Sequence, residues 1–386
     1  MTKTTTDTGS ASDSKQKNNL VALVAFATLS IVGVICWVMQ LTGGAALALT
    51  NTTMWGLYIV GFMLCTGIAA GCLLFASSTV LFASLAAYKP FARLAAACSV
   101  CVGAVGAGLF IMADLGNPAR FWEMIVFAHV GSPLFWDTII LLAYLVIGII
   151  FTLQLTKSSK AGNDTVNLKP LAIVAFIAGI CVAITSFVFI FQVARPLWNN
   201  PGQTLSFMLS ALIAAGSVLM VVFALANHSG YLPMNNKLSS NLARTLAFIL
   251  LLDFIFVLTE VAMGVFAGQG SGSLPIAWLV SGAGAPFFWT EIVAFVAAFA
   301  LLFQKNRTLQ IAGAVAAFVA VFLVKYNLLQ AELFNPLLNF TAFPKGLGIT
   351  STFYLPSPIE WGVTVGIVGI VGLLLTIGMR KLKLGA

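Results

Sequence analysis

Ten apolar stretches of about 20 residues each constrain the fold of this chain more than any other feature. A helix of that length crosses the hydrocarbon core of a bilayer, and a helix pairs all of its backbone polar groups internally. The sequence therefore predicts an all-α integral membrane protein. The second stretch is long enough to project beyond the bilayer. The predicted spans are residues 19–41, 55–87, 92–113, 134–156, 170–193, 204–226, 242–267, 286–303, 308–331 and 357–379.

The net charge of +8 reflects membrane topology and does not indicate a nucleic-acid partner. Basic residues cluster in alternate loops, and only Arg120, Arg195 and Lys345 lie in the loops of the other side. The positive-inside rule places basic loops in the cytoplasm. We therefore predict a multi-pass protein of the cell (inner) membrane with both termini cytoplasmic. The cytoplasmic basic residues are Lys3, Lys15, Lys17, Lys89, Arg93, Lys157, Lys160, Lys169, Lys237, Arg244, Lys305, Arg307, Arg380, Lys381 and Lys383.

A short internal repeat divides the spans into two groups. The sequence Pro-Leu-Phe-Trp-Asp at 133–137 begins the fourth span, and Pro-Phe-Phe-Trp-Thr-Glu at 286–291 begins the eighth. Four intervening spans give both copies the same orientation, so we predict two four-helix bundles related as a parallel repeat. The predicted segments are a disordered tail at 1–18, a first helix and outer loop at 19–54, bundles at 55–201 and 202–336, and an outer loop and last helix at 337–386.

The cysteines and histidines argue against a haem or a metal in this chain. All six cysteines fall within predicted spans, and Cys98-Ser-Val-Cys101 has no second cysteine pair nearby. We interpret them as small packing residues. The two histidines, His129 and His228, are predicted to lie in loops on opposite sides of the membrane. Haem ligation from within the bilayer is therefore not expected.

Ionisable residues gather at the outer end of the second predicted bundle. Asp253 and Glu260 are seven residues apart and share a face of the seventh helix. Glu291 and Lys325 reach about the same depth as Glu260, and Glu332 lies just beyond. Such groups are costly in a bilayer and are a functional hypothesis.

Two interpretations of this acidic cluster stay open. In the first, Lys325 pairs with one glutamate and the cluster is a neutralised polar core. In the second, the cluster carries protons. Because these acids occupy only the outer half, we expect proton release or uptake on the outer side, and not a channel across the membrane.

Motifs in the outer loops and adjoining helices carry a family resemblance. They are Trp55-Gly-Leu-Tyr58, Thr66-Gly67-Ile-Ala-Ala70-Gly71, Asp114-Leu-Gly-Asn-Pro-Ala-Arg120, Ser132-Pro133-Leu-Phe-Trp136, Arg195-Pro-Leu-Trp198-Asn199 and Lys325-Tyr-Asn-Leu328. With these motifs in this order, the protein resembles the NrfD/PsrC family, the membrane subunits of polysulfide-reductase-type complexes. The resemblance extends over residues 55–330.

The resemblance implies a membrane anchor that reacts with menaquinone or another quinone near the outer face and is not catalytic alone. It would exchange electrons with a four-cluster iron–sulfur subunit outside the membrane, which passes them to a molybdopterin catalytic subunit. The implied quinone-binding residues are Tyr58, Thr66, Gly67, Ala70, Gly71 and Asp114. The expected docking residues are Arg120, Glu123, Arg195 and Trp198.

Three alternatives remain open from the sequence. Gly67 and Gly71 can be explained by close helix packing alone. A histidine near these glycines and a Tyr-Thr-Gly before Arg195 occur in many family members but not here, which leaves a pure anchor without quinone turnover possible in principle. A proton- or cation-coupled transporter that uses the acidic cluster is the alternative from another class, although the parallel repeat argues against it.

Overall fold

The computed structural model is helical, with no β-strand in the residues it describes, which are 8–44, 47–50, 53–161, 167–266, 273–334 and 353–382. Within these ranges, ten stretches are long and apolar enough to cross a membrane, which confirms the predicted spans. They are Leu20–Leu41, Leu57–Leu81, Ala83–Asp114, Pro133–Ser158, Lys169–Phe189, Gly202–His228, Asn236–Phe266, Ala285–Leu302, Arg307–Phe334 and Pro358–Met379.

Thirteen α-helices are described in these ranges, and some spans combine several of them. A π-helix at Cys101–Ala107 joins α3 to α4, so these form one span. The helices are α1 (Thr8–Leu41), α2 (Leu57–Leu81), α3 (Lys89–Val100), α4 (Gly108–Asp114), α5 (Glu123–Val126), α6 (Pro133–Ala161), α7 (Lys169–Ile184), α8 (Gly202–His228), α9 (Asn236–Phe266), α10 (Ser273–Val280), α11 (Ala285–Leu302), α12 (Arg307–Phe334) and α13 (Pro358–Leu382).

Two predicted boundaries differ from the structure. The second span ends at Leu81 and does not project beyond the bilayer as one long helix, because Phe82 adopts an extended backbone (φ −108°, ψ 122°). The backbone then turns through a 3₁₀ segment at Ala83–Tyr88 before α3. At the other boundary, α1 begins at Thr8, within the segment expected to be a disordered tail. Residues 1–7 and most of the last predicted outer loop (335–352) lie outside the described residues.

Several hydroxyl side chains inside the spans donate to backbone carbonyl oxygens of their own helices. Ser77 Oγ donates to the carbonyl oxygen of Leu73 at 2.7 Å, and Thr152 Oγ1 donates to that of Gly148 at 2.7 Å. Because hydrocarbon offers no competing water, these bonds remove most of the cost of placing a hydroxyl in the bilayer. Large apolar side chains such as Phe248 and Val293 are exposed on the outer surface of the fold and would face lipid.

Helices α2 and α12 lie at the centre of the fold. α2 packs against α3, α4, α7 and α8, whereas α12 packs against α8, α9 and α11. Because α8 contacts both central helices, it joins the two halves of the protein. The division into bundles at residue 201 remains a prediction.

The first and last helices form a pair at the periphery. Where α1 crosses α13, Gly33 faces Gly366, and a Cβ on either glycine would overlap the backbone of the other. Such contacts between glycines let two helix backbones approach closely in a bilayer. The remaining faces of α1 carry exposed residues such as Val24 and Ile31, so they are available to lipid.

We call the side of the fold that holds the start of α2, the end of α4 and the start of α13 the outer side. It is opposite the ends that carry most of the basic residues, such as the start of α3. All the sites described below, except where stated, lie toward this outer side.

Candidate functional site

A series of hydrogen bonds joins the outer ends of three helices in the first half of the protein. The Tyr58 side chain is 1% exposed, and its Oη donates to Gln40 Oε1 at 2.7 Å. Gln40 Nε2 in turn donates to the backbone oxygen of Ala113 at 2.8 Å. Tyr58, Gln40 and Ala113 belong to α2, α1 and α4, so these bonds bring three helix ends together and place Asp114, the next residue, beside them. We call Tyr58, Gln40, Trp37 and Asp114 the outer corner.

Two buried polar atoms of the outer corner have no hydrogen-bond partner among the described residues. They are Trp37 Nε1, which can only donate, and Asp114 Oδ1. Trp37 lies one helical turn before Gln40 on the same face of α1, and it packs against the cluster that contains Tyr58. Leaving such an atom without a partner costs about 1–3 kcal/mol. The outer corner therefore presents one unsatisfied donor and one unsatisfied acceptor.

The glycines expected at the quinone site lie on the opposite face of α2 from Tyr58. At about 100° per residue, Gly67 and Gly71 are turned by about 180° and 220° from Tyr58, and Gly71 is about 20 Å deeper. Both face α8, where a Cβ at Gly67 would lie 3.2 Å from the Cα of Ala211, and one at Gly71 would overlap Ala215. These contacts are the ones expected if the two glycines serve close packing of α2 against α8. The structure does not bring Gly67 and Gly71 together with Tyr58 and Asp114.

Thr66 and Ala70 do not reach the outer corner either. The Thr66 hydroxyl donates to the carbonyl oxygen of Phe62 at 3.0 Å within α2. Ala70 is fully buried where α7 crosses α2 at Gly179. Of the six residues predicted for quinone binding, only Tyr58 and Asp114 therefore lie at the outer corner.

A second hydrogen-bond network next to the outer corner was not anticipated from the sequence. Glu360, in the first turn of α13, is 0% exposed, and its carboxylate accepts from Tyr354 Oη at 2.6 Å and from the Ser357 backbone nitrogen at 2.6 Å. Burial and the bond to Glu360 raise the pKa of Tyr354 above its ordinary value. The available signal was Ser357 followed three residues later by Glu360, the spacing of a helix capping box, with Glu360 the sole acid of the last span.

In the second half, two of the predicted acids line a common cavity. Glu291 Oε2 accepts from Asn327 Nδ2 at 2.7 Å, and Glu260 Oε1 accepts from Gln203 Nε2 at 2.5 Å. The cavity has a volume of about 40 Å³, and a buried site of about 10–15 Å³ is enough for one water. Apolar side chains from the loop before α8 and from α9 to α12 line the rest of it, including Leu197, Val257, Ile276, Leu279, Phe288 and Val324.

Asp253 and Lys325 lie on the same two helices as Glu260 and Asn327, and both are buried. Asp253 Oδ1 accepts from Ser206 Oγ at 3.2 Å, whereas its Oδ2 has no partner among the described residues. Lys325 Nζ also lacks a hydrogen-bond partner there, and it lies 3.4 Å from the centre of the Phe207 ring. The direct ion pair between Lys325 and a glutamate, considered above, is therefore absent from the described structure, because the ammonium is turned toward an aromatic face.

Glu332 does not join the acidic cluster. Its Oε1 accepts from the Leu197 backbone nitrogen at 2.5 Å, and its backbone oxygen accepts from Arg195 Nη1. Burial lowers the pKa of the Arg195 guanidinium, and the Glu332 carboxylate partly offsets this shift. Arg195 and Glu332 therefore attach the loop before α8 to the outer end of α12.

Trp198, predicted as a docking residue, is inaccessible. It is 3% exposed, its Nε1 donates to the Leu328 carbonyl oxygen at 2.9 Å, and its ring stacks on Trp55 with centroids 5.5 Å apart. A partner cannot reach this ring, because it is already covered by helices from both halves.

Arg120 and Glu123, in contrast, form an accessible pair on the outer surface. The two residues make a bidentate contact, with both N···O distances at 2.7 Å, and the Arg120 side chain is 65% exposed. Phe121, Trp122 and Phe127 are exposed beside them. The surface around α5 therefore combines a charged pair with apolar side chains.

The comparison with known proteins decides the family. Residues 46–335 match the family model described as polysulphide reductase, NrfD. The chain belongs to this family.

Three relatives are similar over most of their length. A Halobacterium salinarum protein provisionally named as the membrane subunit of a dimethyl sulfoxide reductase is 26% identical over 94% of this chain and 91% of its own. The C component of the selenate reductase of Mesobacillus selenatarsenatis is 23% identical over 91% of each sequence. The C component of the polysulfide reductase of Wolinella succinogenes is 24% identical over 63% of this chain and 80% of its own.

The match to the NrfD family leaves out parts of both networks described above. Trp37 and Gln40 precede residue 46, and Tyr354 and Glu360 follow residue 335. The outer corner therefore combines residues inside the family match, such as Tyr58 and Asp114, with residues of the peripheral pair α1 and α13.

Two tryptophans of this NrfD-family protein, one in each half, make similar hydrogen bonds. Trp136, at the start of α6, donates its Nε1 proton to the Val130 carbonyl oxygen at 2.9 Å. Trp289, at the start of α11, donates likewise to that of Val280 at 3.1 Å. In both copies the indole closes the outer loop that precedes its own helix, which fits the repeat predicted from Pro-x-Phe-Trp.

The cysteines occupy packing positions in the described structure. Cys98 is fully buried near the end of α3, and Cys101 begins the π-helix that follows. Among the described residues, no three His, Cys, Asp or Glu side chains group to hold a metal ion. The expected lack of haem and metal stays a prediction.

Proposed function

We propose that this protein is the membrane anchor and quinone/quinol-reactive subunit of an oxidoreductase complex whose catalytic part lies on the outer, extracytoplasmic side. Membership of the NrfD family supports the anchor role, as do three relatives named as components of reductases, one of them as a membrane subunit. The cluster of basic residues on the opposite side supports cytoplasmic termini in a cell membrane.

We propose that the quinone ring binds at the outer corner, and the two unsatisfied polar atoms there support this proposal. A quinone offers carbonyl acceptors and its quinol offers hydroxyl donors, which match Trp37 Nε1 and Asp114 Oδ1 respectively. Tyr58 and Gln40, bonded at 2.7 Å, would fix the edge of the ring. When bound, the quinone supplies two-electron chemistry. Asp114 Oδ1 would orient the hydroxyl group and accept its proton, while buried apolar neighbours such as Phe110 would exclude water.

The acidic cluster of the second half would serve proton release or uptake on the outer side. Its support is the cavity lined by Glu260 and Glu291 and the unsatisfied Oδ2 of Asp253. Acids that line a cavity large enough for a water molecule can exchange protons through that water. The cluster stays in the outer half of its helices, so the proposal includes no passage across the membrane.

The partners would be an iron–sulfur subunit with four clusters and a molybdopterin catalytic subunit. The exposed surface around Arg120 and Glu123 supports docking on the outer side, because it combines an ion pair with apolar side chains. Arg195 would contribute indirectly, since it holds the neighbouring loop on α12.

Replacement of the two unsatisfied residues tests the quinone site. In the assembled complex, Asp114→Asn and Trp37→Phe should each lower quinol-dependent turnover at least tenfold, about the loss of one buried hydrogen bond to a reacting group. Trp136→Phe is the control for loss of an indole N–H, because Trp136 lies away from the outer corner and donates to the Val130 carbonyl oxygen. Turnover supported by a soluble electron donor that acts on the partner subunits should stay unchanged. Normal quinol turnover in both Asp114→Asn and Trp37→Phe would contradict this placement.

A further inference from the structure

The buried carboxylate of Glu360 collects donors from two separate segments. It accepts from Tyr354 Oη at 2.6 Å, from the Ser357 nitrogen at 2.6 Å and from the Ala48 nitrogen at 3.3 Å. Ser357 Oγ accepts from the Glu360 nitrogen at 3.3 Å, which completes the capping box at the start of α13. A capping box alone explains the bonds to Ser357, but not those to Ala48 and Tyr354.

Tyr354 extends this network to the first residue of α2. Its Oη accepts from the Leu57 nitrogen at 2.8 Å, and Leu57 begins α2. The first nitrogens of a helix have no partner within it, and Gly56, at the N-cap position, has no side chain to supply one. A Cβ at Gly56 would overlap the Tyr354 ring, so glycine is required there. Tyr354 therefore caps α2 from a distant part of the sequence.

The direction of these bonds is fixed by their chemistry. A tyrosine hydroxyl has one proton, and since Tyr354 Oη accepts from Leu57, its own proton must be donated to Glu360. The carboxylate thus orients the hydroxyl that holds the start of α2.

Helix α12 holds the other side of the same segment. Tyr326 Oη donates to the Tyr354 backbone oxygen at 2.7 Å, and Gln330 Nε2 donates to the Trp55 backbone oxygen at 3.0 Å. The residues just before Tyr58 are therefore fixed from both α12 and α13. Tyr58 follows Leu57 directly, so any shift of the start of α2 moves the hydroxyl that bonds Gln40.

We infer that Glu360, acting through Tyr354, is a positioning residue for Tyr58 at the outer corner. This inference rests on the proposed quinone site. The Glu360 carboxylate would not touch the quinone, and Glu360 lies outside the residues matched by the family model. Its effect is to set the position of the α2 end, and hence the geometry of the Tyr58–Gln40 bond, for binding of the quinol ring.

The test compares two tyrosines in the assembled complex. Tyr354→Phe keeps the ring but removes the cap of α2 and the donor to Glu360. Tyr88→Phe is the matched control, because Tyr88 is buried and its Oη donates to the Leu238 carbonyl oxygen at 3.0 Å, far away at the inner side. We expect Tyr354→Phe to speed hydrogen exchange at the Leu57 amide and to raise the KM for quinol about fivefold, with little change in kcat. Tyr88→Phe should leave both unchanged. Glu360→Gln, which keeps an acceptor for Tyr354, should raise KM less than Glu360→Ala.

The outcomes separate this inference from the function on which it rests. If Asp114→Asn impairs quinol turnover while Tyr354→Phe changes neither exchange nor KM, the positioning role is overturned and the quinone site stands. If none of these variants alters quinol kinetics, the quinone site at the outer corner fails, and the positioning role fails with it. A loss of thermal stability shared equally by Tyr354→Phe and Tyr88→Phe, without a selective rise in KM, would also overturn the inference.

Discussion

The ammonium of Lys325 lies 3.4 Å from the centre of the Phe207 ring, and none of the surrounding carboxylates bonds to it in the described structure. The contact joins α12 to α8, which also packs against α2. Phe207 in turn packs against Phe189, with ring centroids 5.3 Å apart. The Lys325 ammonium in the second half is therefore stabilised by the Phe207 ring, which lies at the boundary between the two halves.

Removal of this ring should weaken the fold through the charge of Lys325. A desolvated cation–π contact contributes about 2 kcal/mol, so Phe207→Leu should lower the thermal unfolding midpoint in detergent. The loss should shrink in a Lys325→Met background, since the double variant no longer has a cation to stabilise. Phe254→Leu, which removes a ring that contacts Phe295 and no cation, serves as control. Identical losses for Phe207→Leu with and without Lys325 would refute the interaction.

Loss of Lys325 should expose the cost of the acids around it. Lys325→Met leaves Asp253 without a nearby cation, and an uncompensated buried charge costs about 3–5 kcal/mol. The double variant that adds Asp253→Asn should recover much of that stability. Double variants that add Glu260→Gln or Glu291→Gln should recover less, because these two acids already accept hydrogen bonds from side-chain amides. The measurement is again thermal unfolding in detergent. Strictly additive losses in all three doubles would show that Lys325 is not coupled to these acids.

The glycines of α2 should respond to substitution as packing residues. Gly71→Ala should be destabilising by about 1–3 kcal/mol, because the added Cβ would overlap Ala215 of α8. Gly108→Ala is the control, since a Cβ there has open space within 4 Å, and alanine is favoured over glycine in a helix by about 1 kcal/mol. Equal stability of the two variants would show that α2 and α8 can separate without cost.

Docking of the partner should depend on the exposed pair near α5. Arg120→Glu reverses a charge that is 65% exposed, so it should reduce retention of the iron–sulfur subunit on membranes, with the largest loss at low salt. Arg244→Glu, exposed at the inner side, should leave retention unchanged. Cosedimentation of the partner with membranes over a salt series measures both. Full retention of the partner by Arg120→Glu at every salt concentration would remove this surface from the proposed interface.

The sequence predicted those features that depend on position along a helix. Hydropathy predicted ten spans, and a rise of about 1.5 Å per residue predicted that Glu260 and Glu291 reach the same level, where they line one cavity. The rotation of each helix about its own axis, which decides the face it turns toward each neighbour, could not be derived from the sequence. For this reason the sequence did not reveal that Lys325 faces Phe207, or that Gly71 faces Ala215.

The networks missed from the sequence depend on contacts between distant segments. Glu360 bonds to Ala48, and Tyr354 bonds to Leu57, across about three hundred intervening residues. The capping-box spacing predicts a helix start at Ser357 but not its neighbours. The opposite directions of Tyr58 and Gly71 could have been inferred from helical periodicity alone, whereas the identity of what each one contacts could not.

The crossing of Gly33 and Gly366 has a consequence for how the protein is made. During synthesis helix α1 is made before its packing partner α13, because more than three hundred residues separate the two helices. Before α13 is present, α1 can span the bilayer without this packing partner, because its exposed faces are apolar. Trp37 and Gln40 then reach their final places only after α13 has been made and has packed against α1. Until α13 has packed against α1, Tyr58 and Asp114 would therefore lie at an incomplete outer corner, and quinol binding at the proposed site would begin only after this peripheral pair has formed.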